Sequence, residues 1–297
     1  MIVDESRPLQ VVQPFDFSQS LRFLGQFTPA MGEQVINPRS LTKAVLLNGQ
    51  VAAVRVSDSS APDSLRLDLF ADVPLAASAK DALQDRASFF LSLDDDLIPF
   101  YALAEHDPNF APIVQQLHGY HQVKFLTPFE NACWAVLSNR NRMAIASSMK
   151  TRLTQAFGGA IVIDGVVHHA FPEPQALLEA DAEDLEQVIG HAQKAGFLRH
   201  VALAFTEVDE GWLRTGPIED VEAWLLAVKG IGPWSASFVL VRGLGRMEAF
   251  KVPEQRLIDA ASRLYGHILS ARDVLHLAQD YPGWQGYWAH YVRAAMT

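Results

Sequence analysis

One short stretch, residues 228–238, constrains the fold of this chain most strongly. It reads VKGIGPWSASF, so two glycines stand close together and a proline follows the second directly. Glycine allows positive φ and the close approach of another backbone, and proline is favoured at the first position of a helix. The stretch therefore predicts a tight turn between two helices, with free amides that suit an anion such as one phosphate group. The alternative is a helix–turn–helix connection of purely structural use.

The rest of the sequence predicts an α+β protein in two parts. Residues 45–56 form two apolar runs around Asn48-Gly49, the favoured dipeptide of a two-residue hairpin, and residues 65–70 alternate as a half-buried strand does. Helical spacing dominates later, apart from a hairpin about Asp164-Gly165. We expect an N-terminal antiparallel-sheet domain over residues 1–106 and a mostly α-helical region over residues 107–297. A helix-hairpin-helix is expected at about residues 218–244.

Composition excludes several classes of protein. Cys133 is the only cysteine among 297 residues, which excludes an internal disulfide, a multi-cysteine zinc site and a four-cysteine iron–sulfur cluster. The histidines show no metalloprotease spacing, so we expect no metal site. No apolar run approaches the roughly 20 residues that span a bilayer, and the acidic N-terminus is unlike a signal peptide. We expect a cytoplasmic protein with no membrane partner.

Charge is distributed unevenly along the chain. The net charge of −10 argues against indiscriminate nucleic-acid binding, because phosphate contacts need lysine or arginine. However, residues 138–160 contain basic but no acidic side chains, and basic residues outnumber acidic ones over residues 229–263. These segments are candidates for a surface that faces a polyanion. The alternative is that they are solvated helix faces.

Together these features resemble the helix-hairpin-helix (HhH-GPD) DNA glycosylase superfamily, on its AlkA-like 3-methyladenine DNA glycosylase II branch. The specific part of the resemblance is the glycine hairpin followed by Pro233-Trp234. The segment Phe171-Pro172-Glu173-Pro174, Trp284 with Tyr287, and more loosely Pro14-Phe15-Asp16-Phe17 are also similar. The resemblance implies that the N-terminal domain is similar to half of the TATA-binding fold.

The resemblance also implies an activity, the excision of alkylated, 3-methyladenine-type bases from duplex DNA during base excision repair. Such an enzyme flips the damaged nucleotide out of the duplex and hydrolyses its N-glycosidic bond, and electron-rich rings bind the cationic base. The matching positions for that pocket are Trp234, Phe238, Trp284, Tyr287 and Phe23. Ordinary core packing is the alternative for Trp234 and Phe238. Relatives that also nick the strand carry a lysine where Trp234 stands, so the resemblance implies a monofunctional enzyme without lyase activity.

The catalytic carboxylate has two alternative matches. The family carries an aspartate that stabilises the cationic sugar in the transition state, and no aspartate occupies the equivalent place here. An alignment without a gap puts Glu254 there, and a gapped alignment puts Gln255 there. We predict Glu254, with Asp259 as a second candidate. The alternative is that Glu254 is an exposed first-turn carboxylate that complements a helix dipole.

Two segments are predicted to contact DNA. The hairpin would grip one phosphate through Lys229, Gly230, Ile231, Gly232 and Ser235, and it could hold a monovalent cation on its carbonyls as the family suggests. The segment around Asn139, Arg140 and Arg142 stands where relatives carry a wedge that fills the gap left by the flipped nucleotide. Arg140 is a candidate wedge, a phosphate contact or plain surface. No other cofactor is expected, and a monomer is the default for this architecture.

Two other hypotheses stay open on the sequence alone. The missing aspartate allows a non-catalytic protein that uses the hairpin to bind duplex DNA or to sense damage. A glycosylase for another lesion class, such as hypoxanthine, uracil or an oxidised purine, is a further possibility within the same scaffold.

Overall fold

The computed structural model describes residues 3–30, 32–61 and 63–296 of the chain. An antiparallel sheet with two helices comes first, and helices dominate thereafter. In chain order the elements are β1 (Val3–Gln10), α1 (Phe17–Gln26), β2 (Gln34–Asn37), β3 (Ser40–Leu47), β4 (Gln50–Asp58), β5 (Ser64–Ala71), α2 (Ala77–Leu91), α3 (Ile98–Ala104), α4 (Ala111–Gln116), α5 (Pro128–Ser138), α6 (Met143–Phe157), β6 (Gly159–Ile163), β7 (Val166–Ala170), α7 (Pro174–Glu179), α8 (Ala182–Ile189), α9 (Ala192–Glu207), α10 (Glu210–Thr215), α11 (Ile218–Ala227), α12 (Pro233–Arg242), α13 (Gln255–Tyr265), α14 (Ala271–Ala278) and α15 (Gln285–Met296).

The N-terminal sheet has the strand order β1-β5-β4-β3-β2, with every neighbouring pair antiparallel. Strands β3 and β4 are joined by Asn48 and Gly49, with φ of 51° and 74°, and Leu47 pairs with Gln50. Positive φ at both central residues is the signature of a type I′ turn, which follows the natural twist of the strands. The local dipeptide therefore fixes the register of this pair.

The two faces of the sheet are covered by different parts of the chain. Apolar residues of one face pack with α1 and α2 in one core cluster. On the other face, the small residues Ala44 and Ala53 leave room for Ile161 and Ile163 of the β6–β7 hairpin. Successive strand residues point to opposite faces, so the alternation of the sequence serves two cores at once. The hairpin from the second half of the chain thereby ties itself to the N-terminal sheet.

A buried group of four charges lies where the sheet meets α5 and α6. Lys150 Nζ lies 2.5 Å from Glu33 Oε1 and 2.8 Å from Glu130 Oε1, and Lys43 Nζ lies 3.2 Å from Glu33 Oε2. Burial disfavours the ammonium ion, yet the two carboxylates outweigh it and raise the pKa of Lys150. The group balances two positive and two negative charges. Removing one member would strand a buried charge.

The helices enclose a second and larger core. Its centre is aromatic and includes Phe100, Phe110, Tyr281, Trp288 and Tyr291, all buried. Phe100 belongs to α3, which lies before residue 107 in the chain, yet it packs in this helical core. The division at residue 107 stays a prediction, because residues from before and after this position pack together in the same core clusters.

The predicted fold class is confirmed. The hairpins over residues 45–56 and 161–168 are present, and α11 and α12 form the helix-hairpin-helix expected at about residues 218–244. The sequence did not predict β1, β2, α3 or α10. Helices α3 and α10 have only 7 and 6 residues, too short for a clear periodic pattern. Strand β1 pairs with β5 far along the chain, a contact that no local signal reveals.

Candidate active site

The glycine hairpin closes as a tight turn between α11 and α12. The amide of Ile231 donates to the carbonyl of Val228 at 3.0 Å, and Gly230 has a φ of +103°. A Cβ at Gly230 would lie 2.7 Å from Cβ of Phe197 on α9. Glycine is therefore required at 230 twice over, by the backbone conformation and by the approach of α9.

The hairpin delivers the N-terminus of α12 without a side-chain cap. Gly232 is the N-cap residue and Pro233 is in the first turn. The early amides of a helix have no intrahelical acceptor, so those of Trp234 and Ser235 suit an external anion. Lys229 beside them is exposed.

Two residues of the predicted hairpin contact have buried side chains. Ser235 is 1% exposed and Ile231 is 6% exposed. A DNA contact from either residue could come only from its main chain, because the side chains are packed inside the protein.

The structure separates the two alternatives for the carboxylate. Glu254 is the N-cap residue of α13, yet its side chain makes no capping bond and instead forms an ion pair with Arg293 Nη1 on α15. Gln255 is exposed and donates from Nε2 to Asp259 Oδ1 at 2.8 Å along its own helix. Glu254 also lines a cleft between α12, α13 and α15, whereas Gln255 and Asp259 are not among the residues that line it.

Aromatic rings form one wall of this cleft. Trp234 and Phe238 stack with ring centroids 5.1 Å apart and an interplanar angle of 11°, as expected for residues one turn apart on the same helix face. Phe250 lines the cleft as well. The wall is flat and apolar, and it suits a planar ligand.

The floor of the cleft is polar and buried. Arg242 continues the face of Trp234 and Phe238 by one more turn, is 7% exposed, and lies beside His290 of α15. Burial, with a smaller contribution from Arg293, lowers the pKa of Arg242 to about 10. Burial and the two arginines hold the pKa of His290 well below its usual range.

Phe23 supports this floor from the N-terminal domain. Its ring lies 5.3 Å from the His290 ring, centroid to centroid, and the Arg242 guanidinium lies 5.1 Å from the Phe23 ring centroid. Phe23, which was predicted as a pocket residue, is not among the residues that line the cleft and contacts it only through Arg242 and His290.

Trp284 and Tyr287 are not brought to the cleft. Tyr287 is completely buried in the aromatic core, and its hydroxyl donates to Asp95. Burial raises the pKa of that hydroxyl well above its usual value. Trp284 packs against Phe100 and Tyr287. The face of α15 that lines the cleft carries Gly286, Ala289, His290 and Arg293 instead.

The predicted wedge segment is exposed, and Lys194 of α9 supports its backbone. Asn139, Arg140 and Arg142 are all exposed, and Arg140 has a φ of +55°. Lys194 Nζ donates to the carbonyls of Val136 and Asn139 at 2.6 and 2.9 Å, and burial lowers the pKa of Lys194. Helix α9 therefore supports both this segment, through Lys194, and the hairpin, through Phe197.

The residues that sequence reasoning missed are Arg242, His290, Arg293 and Lys194. Arg242 could have been found, because positions 234, 238 and 242 repeat every four residues on one helix face. The other three depend on contacts between distant helices. Cys133 is buried, and burial raises the pKa of its thiol well above the usual value, as expected for a core cysteine.

Other candidate sites are weaker. A larger cavity of about 200 Å³ lies between the sheet and α5, lined by residues that include Lys43, Glu130 and Phe171, and it touches neither the hairpin nor Glu254. Within the described ranges no cluster of histidine, cysteine or carboxylate side chains could hold a metal ion. No described helix has the length and apolarity to cross a membrane.

Comparison with known proteins agrees with this arrangement. A sequence profile described as HhH-GPD superfamily base excision DNA repair protein matches residues 133–276. DNA-3-methyladenine glycosylase of Bacillus subtilis is 28% identical over 207 residues, which is 68% of each chain. The solved 3-methyladenine DNA-glycosylase from Archaeoglobus fulgidus is 20% identical and covers 97% of both chains with a TM-score of 0.81. The Schizosaccharomyces pombe 3-methyladenine DNA glycosylase, solved in complex with abasic DNA, is 20% identical over 66% of this chain and 94% of its own, with a TM-score of 0.53.

The matched segment contains the hairpin, the aromatic wall and Glu254, and the shared fold extends over the N-terminal sheet as well. The profile match, the relatives and the shared fold together support a place in the HhH-GPD superfamily, on its AlkA-like branch.

Proposed function

We propose that this protein is a monofunctional DNA N-glycosylase that excises alkylated, 3-methyladenine-type bases from duplex DNA. The observation that carries the proposal is that Glu254 and the Trp234–Phe238 stack line one cleft, directly behind a hairpin suited to phosphate. Relatives named DNA-3-methyladenine glycosylase support the substrate class, and a complex of one such enzyme with abasic DNA supports DNA binding.

The reaction needs a contact with the DNA strand, a surface for the flipped base and a carboxylate near the sugar. The amides at the start of α12, with Lys229 beside them, would hold the strand by one phosphate. This contact positions the protein on DNA and carries no sequence information. The flipped base would lie against the aromatic wall, where a cationic alkylated purine gains cation–π attraction.

Glu254 would act on the sugar. Its carboxylate would stabilise the positive charge that develops on the deoxyribose and accept a proton from the attacking water, as carboxylates do in glycoside hydrolysis. Glutamate differs from aspartate by one methylene, which moves the charge without removing it. The location of Glu254 in the cleft favours an enzyme over the non-catalytic alternative.

The absence of lyase activity is supported by the lining of the cleft. Residue 234 is tryptophan, and none of the described residues that line the cleft is a lysine. A Schiff base with the abasic sugar needs a lysine amine or its equivalent there. We therefore expect intact abasic strands until heat or alkali is applied.

Several finer points belong to the same proposal. Arg140, exposed at the end of α5, would fill the gap left by the flipped nucleotide with its planar guanidinium, and Asn139 and Arg142 would contact the backbone nearby. The protein would act as a monomer on cytoplasmic DNA. A monovalent cation on the hairpin carbonyls stays a prediction.

The proposal is tested by base release from methylated DNA, followed by mass spectrometry, with wild type and Glu254→Gln. Loss of one group that stabilises transition-state charge typically costs about 100- to 1,000-fold in rate. Asp259→Asn is the matched control, because Asp259 is an exposed carboxylate on the same helix outside the cleft. Equal release by wild type and Glu254→Gln would remove Glu254 from the mechanism. Binding to an abasic-analogue duplex without any base release would favour the non-catalytic alternative.

A further inference from the structure

A second cavity lies away from the cleft, where the N-terminal sheet meets the helices. Its volume is about 200 Å³, and it is lined by β3, α2, α5, the segment before α7, and the junction of α9 and α10. No described residue lines both this cavity and the cleft. An engineered protein cavity of about 150 Å³ is large enough to hold benzene. The second cavity therefore has room for a six-membered ring with a small substituent.

The walls of the second cavity are largely apolar and include three phenylalanine rings. The ring centroid of Phe129 lies 6.0 Å from that of Phe171 and 5.7 Å from that of Phe205. Leu46 and Leu126 add aliphatic surface beside them. Walls of this kind suit a flat apolar body, because aromatic rings pack against it at their faces and edges.

The charged side chains at the open end of the cavity are occupied by neighbours within the protein. Arg86 Nη1 donates to both carboxylate oxygens of Glu210, at 2.8 and 3.0 Å. The carboxylate of Glu173 accepts from the amides of Asn48 and Gly49, each at 2.8 Å. These groups hold the walls together and do not require a ligand.

The buried end of the cavity contains polar groups that are incompletely used. Glu130 is 2% exposed, and its Oε2 has no hydrogen-bond partner within the described part of the chain. Burial alone would raise the pKa of Glu130, but Lys150 and Lys43 outweigh it and lower that pKa, so Oε2 can only accept. Lys43 is 3% exposed. Among the described residues, its three ammonium donors make one hydrogen bond, to Glu33 Oε2 at 3.2 Å.

The charge of this end argues for a neutral ligand. Glu33, Glu130, Lys43 and Lys150 already balance two negative with two positive charges, so a charged ligand would bring an uncompensated charge into the protein interior. A neutral molecule with one donor for Glu130 and one acceptor for Lys43 would satisfy both groups. A primary carboxamide carries an N–H and a carbonyl oxygen side by side.

We propose that the second cavity is a binding site for a small neutral molecule, a primary carboxamide on a flat apolar ring. The amide N–H donates to Glu130 Oε2, the carbonyl accepts from Lys43 Nζ, and the ring lies among the three phenylalanines. This site is separate from the proposed glycosylase activity and does not rest on it. Because the ligand contacts both the sheet and the helices, it stabilises the folded state and raises the unfolding midpoint.

The experiment uses benzamide as the probe, with two molecules of nearly the same shape as comparisons. Acetophenone has a methyl group in place of the amide NH₂, and benzoate has a negatively charged oxygen there. Dissociation constants are measured by ligand-observed NMR titration and checked by the shift of the unfolding midpoint. We expect the dissociation constant of benzamide to be lower than that of either comparison by about tenfold or more, as one hydrogen bond to a charged group predicts.

A substitution that fills the cavity locates the bound benzamide. Ala82 is exposed on α2 and lines the cavity, so Ala82→Phe adds a ring there without replacing a core residue. Ala77 is exposed on the same helix outside the cavity, and Ala77→Phe is the matched control. We expect Ala82→Phe to weaken benzamide binding by about tenfold or more and Ala77→Phe to leave it unchanged.

Four results would overturn the proposal, and none of them affects the proposed function. Failure of benzamide to bind at millimolar concentration would show that the cavity holds water only. Equal dissociation constants for the three probes would show that Glu130 and Lys43 do not recognise an amide. Unchanged binding in a folded Ala82→Phe variant, or displacement of benzamide by an abasic-analogue duplex, would place the benzamide elsewhere. If Ala82→Phe does not fold, the three probes and the displacement by DNA decide the question with wild type.

Discussion

Replacing each of the two hairpin glycines by alanine should have opposite effects on the stability of the fold. Gly230 has a φ of +103°, and a Cβ there would lie 2.7 Å from both Cβ and Cγ of Phe197. Gly232 has a φ of −102°, and a Cβ there would meet no other atom within 4 Å. We expect Gly230→Ala to disturb the hairpin and Gly232→Ala to leave the fold intact.

The size of the Gly230→Ala effect has two sources. A non-glycine residue held at positive φ costs about 1–3 kcal/mol. In addition, Cβ of Phe197 is bound directly to the backbone of α9 and cannot swing away, so α9 or the hairpin must shift. A total loss of about 2 kcal/mol or more in the free energy of unfolding is therefore expected, which lowers the unfolding midpoint by several degrees.

Two assays separate folding from DNA binding. Thermal unfolding should show the loss for Gly230→Ala and a near-native midpoint for Gly232→Ala. Affinity for an abasic-analogue duplex should fall for Gly230→Ala on all DNA sequences alike, because a phosphate contact does not read bases. For Gly232→Ala the added methyl borders the helix N-terminus, so a bulkier replacement there should weaken binding without lowering the midpoint.

A wild-type midpoint for Gly230→Ala would refute this account of the hairpin. A change in binding confined to one sequence or one lesion would contradict the phosphate role. The double variant Gly230→Ala with Phe197→Ala removes the contacts with Cγ and the ring but keeps Cβ of residue 197, so it should recover only part of the steric cost and none of the cost of the positive φ.

Three further predictions concern the cleft and its supports. Because the pKa of His290 is held well below its usual 6.5, its stabilising contribution is fully present above that value and is lost as the pH falls through it, since the unfolded chain then binds the proton and the folded one does not. The stability should therefore fall as the pH drops below about 6.5, and chemical denaturation of His290→Phe should show a smaller loss of stability over that range. Arg293→Met should change the stability by less than about 1 kcal/mol, since its pair with Glu254 is exposed, but should slow base release by about 10-fold or more because the carboxylate is no longer held in place; an unaltered rate would contradict this. Lys194→Met should cost about 1–3 kcal/mol in chemical denaturation by removing the bond that Lys194 Nζ donates to the carbonyl of Val136 at the end of α5, and full stability would show that water replaces the ammonium group.

The parts of the fold that sequence reasoning predicted are those with local causes. Asn48-Gly49 and Asp164-Gly165 both have the positive φ that a two-residue hairpin needs, and such dipeptides need no distant partner to form it. The start of α12 follows in the same way from glycine and proline. The stacking of Trp234 on Phe238 needed only the four-residue spacing on one helix.

The C-terminal helix shows why the rest of the site was harder to predict. Every residue from Gly286 to Val292 of α15 is buried, so its sequence gives no polar face to orient it. Tyr287, Trp288 and Tyr291 pack in the aromatic core. Because these residues face the core, the cleft is lined by Gly286, Ala289, His290 and Arg293. The orientation of α15 is set by packing against α13, α4 and α3, which a pattern within α15 cannot reveal.

The position of Glu254 is also easier to interpret once the neighbouring helix is included. A carboxylate at the N-cap of α13 could have bonded the amides of its own helix, which would have directed its charge away from any substrate. Glu254 makes no such bond. Its longer side chain reaches across to Arg293 on α15, so the carboxylate is held at the cleft by a contact that a shorter side chain from the same backbone position would reach less well. Glu254 and the arginine on the facing helix therefore form one arrangement, in which the glutamate side chain and its partner together place the negative charge.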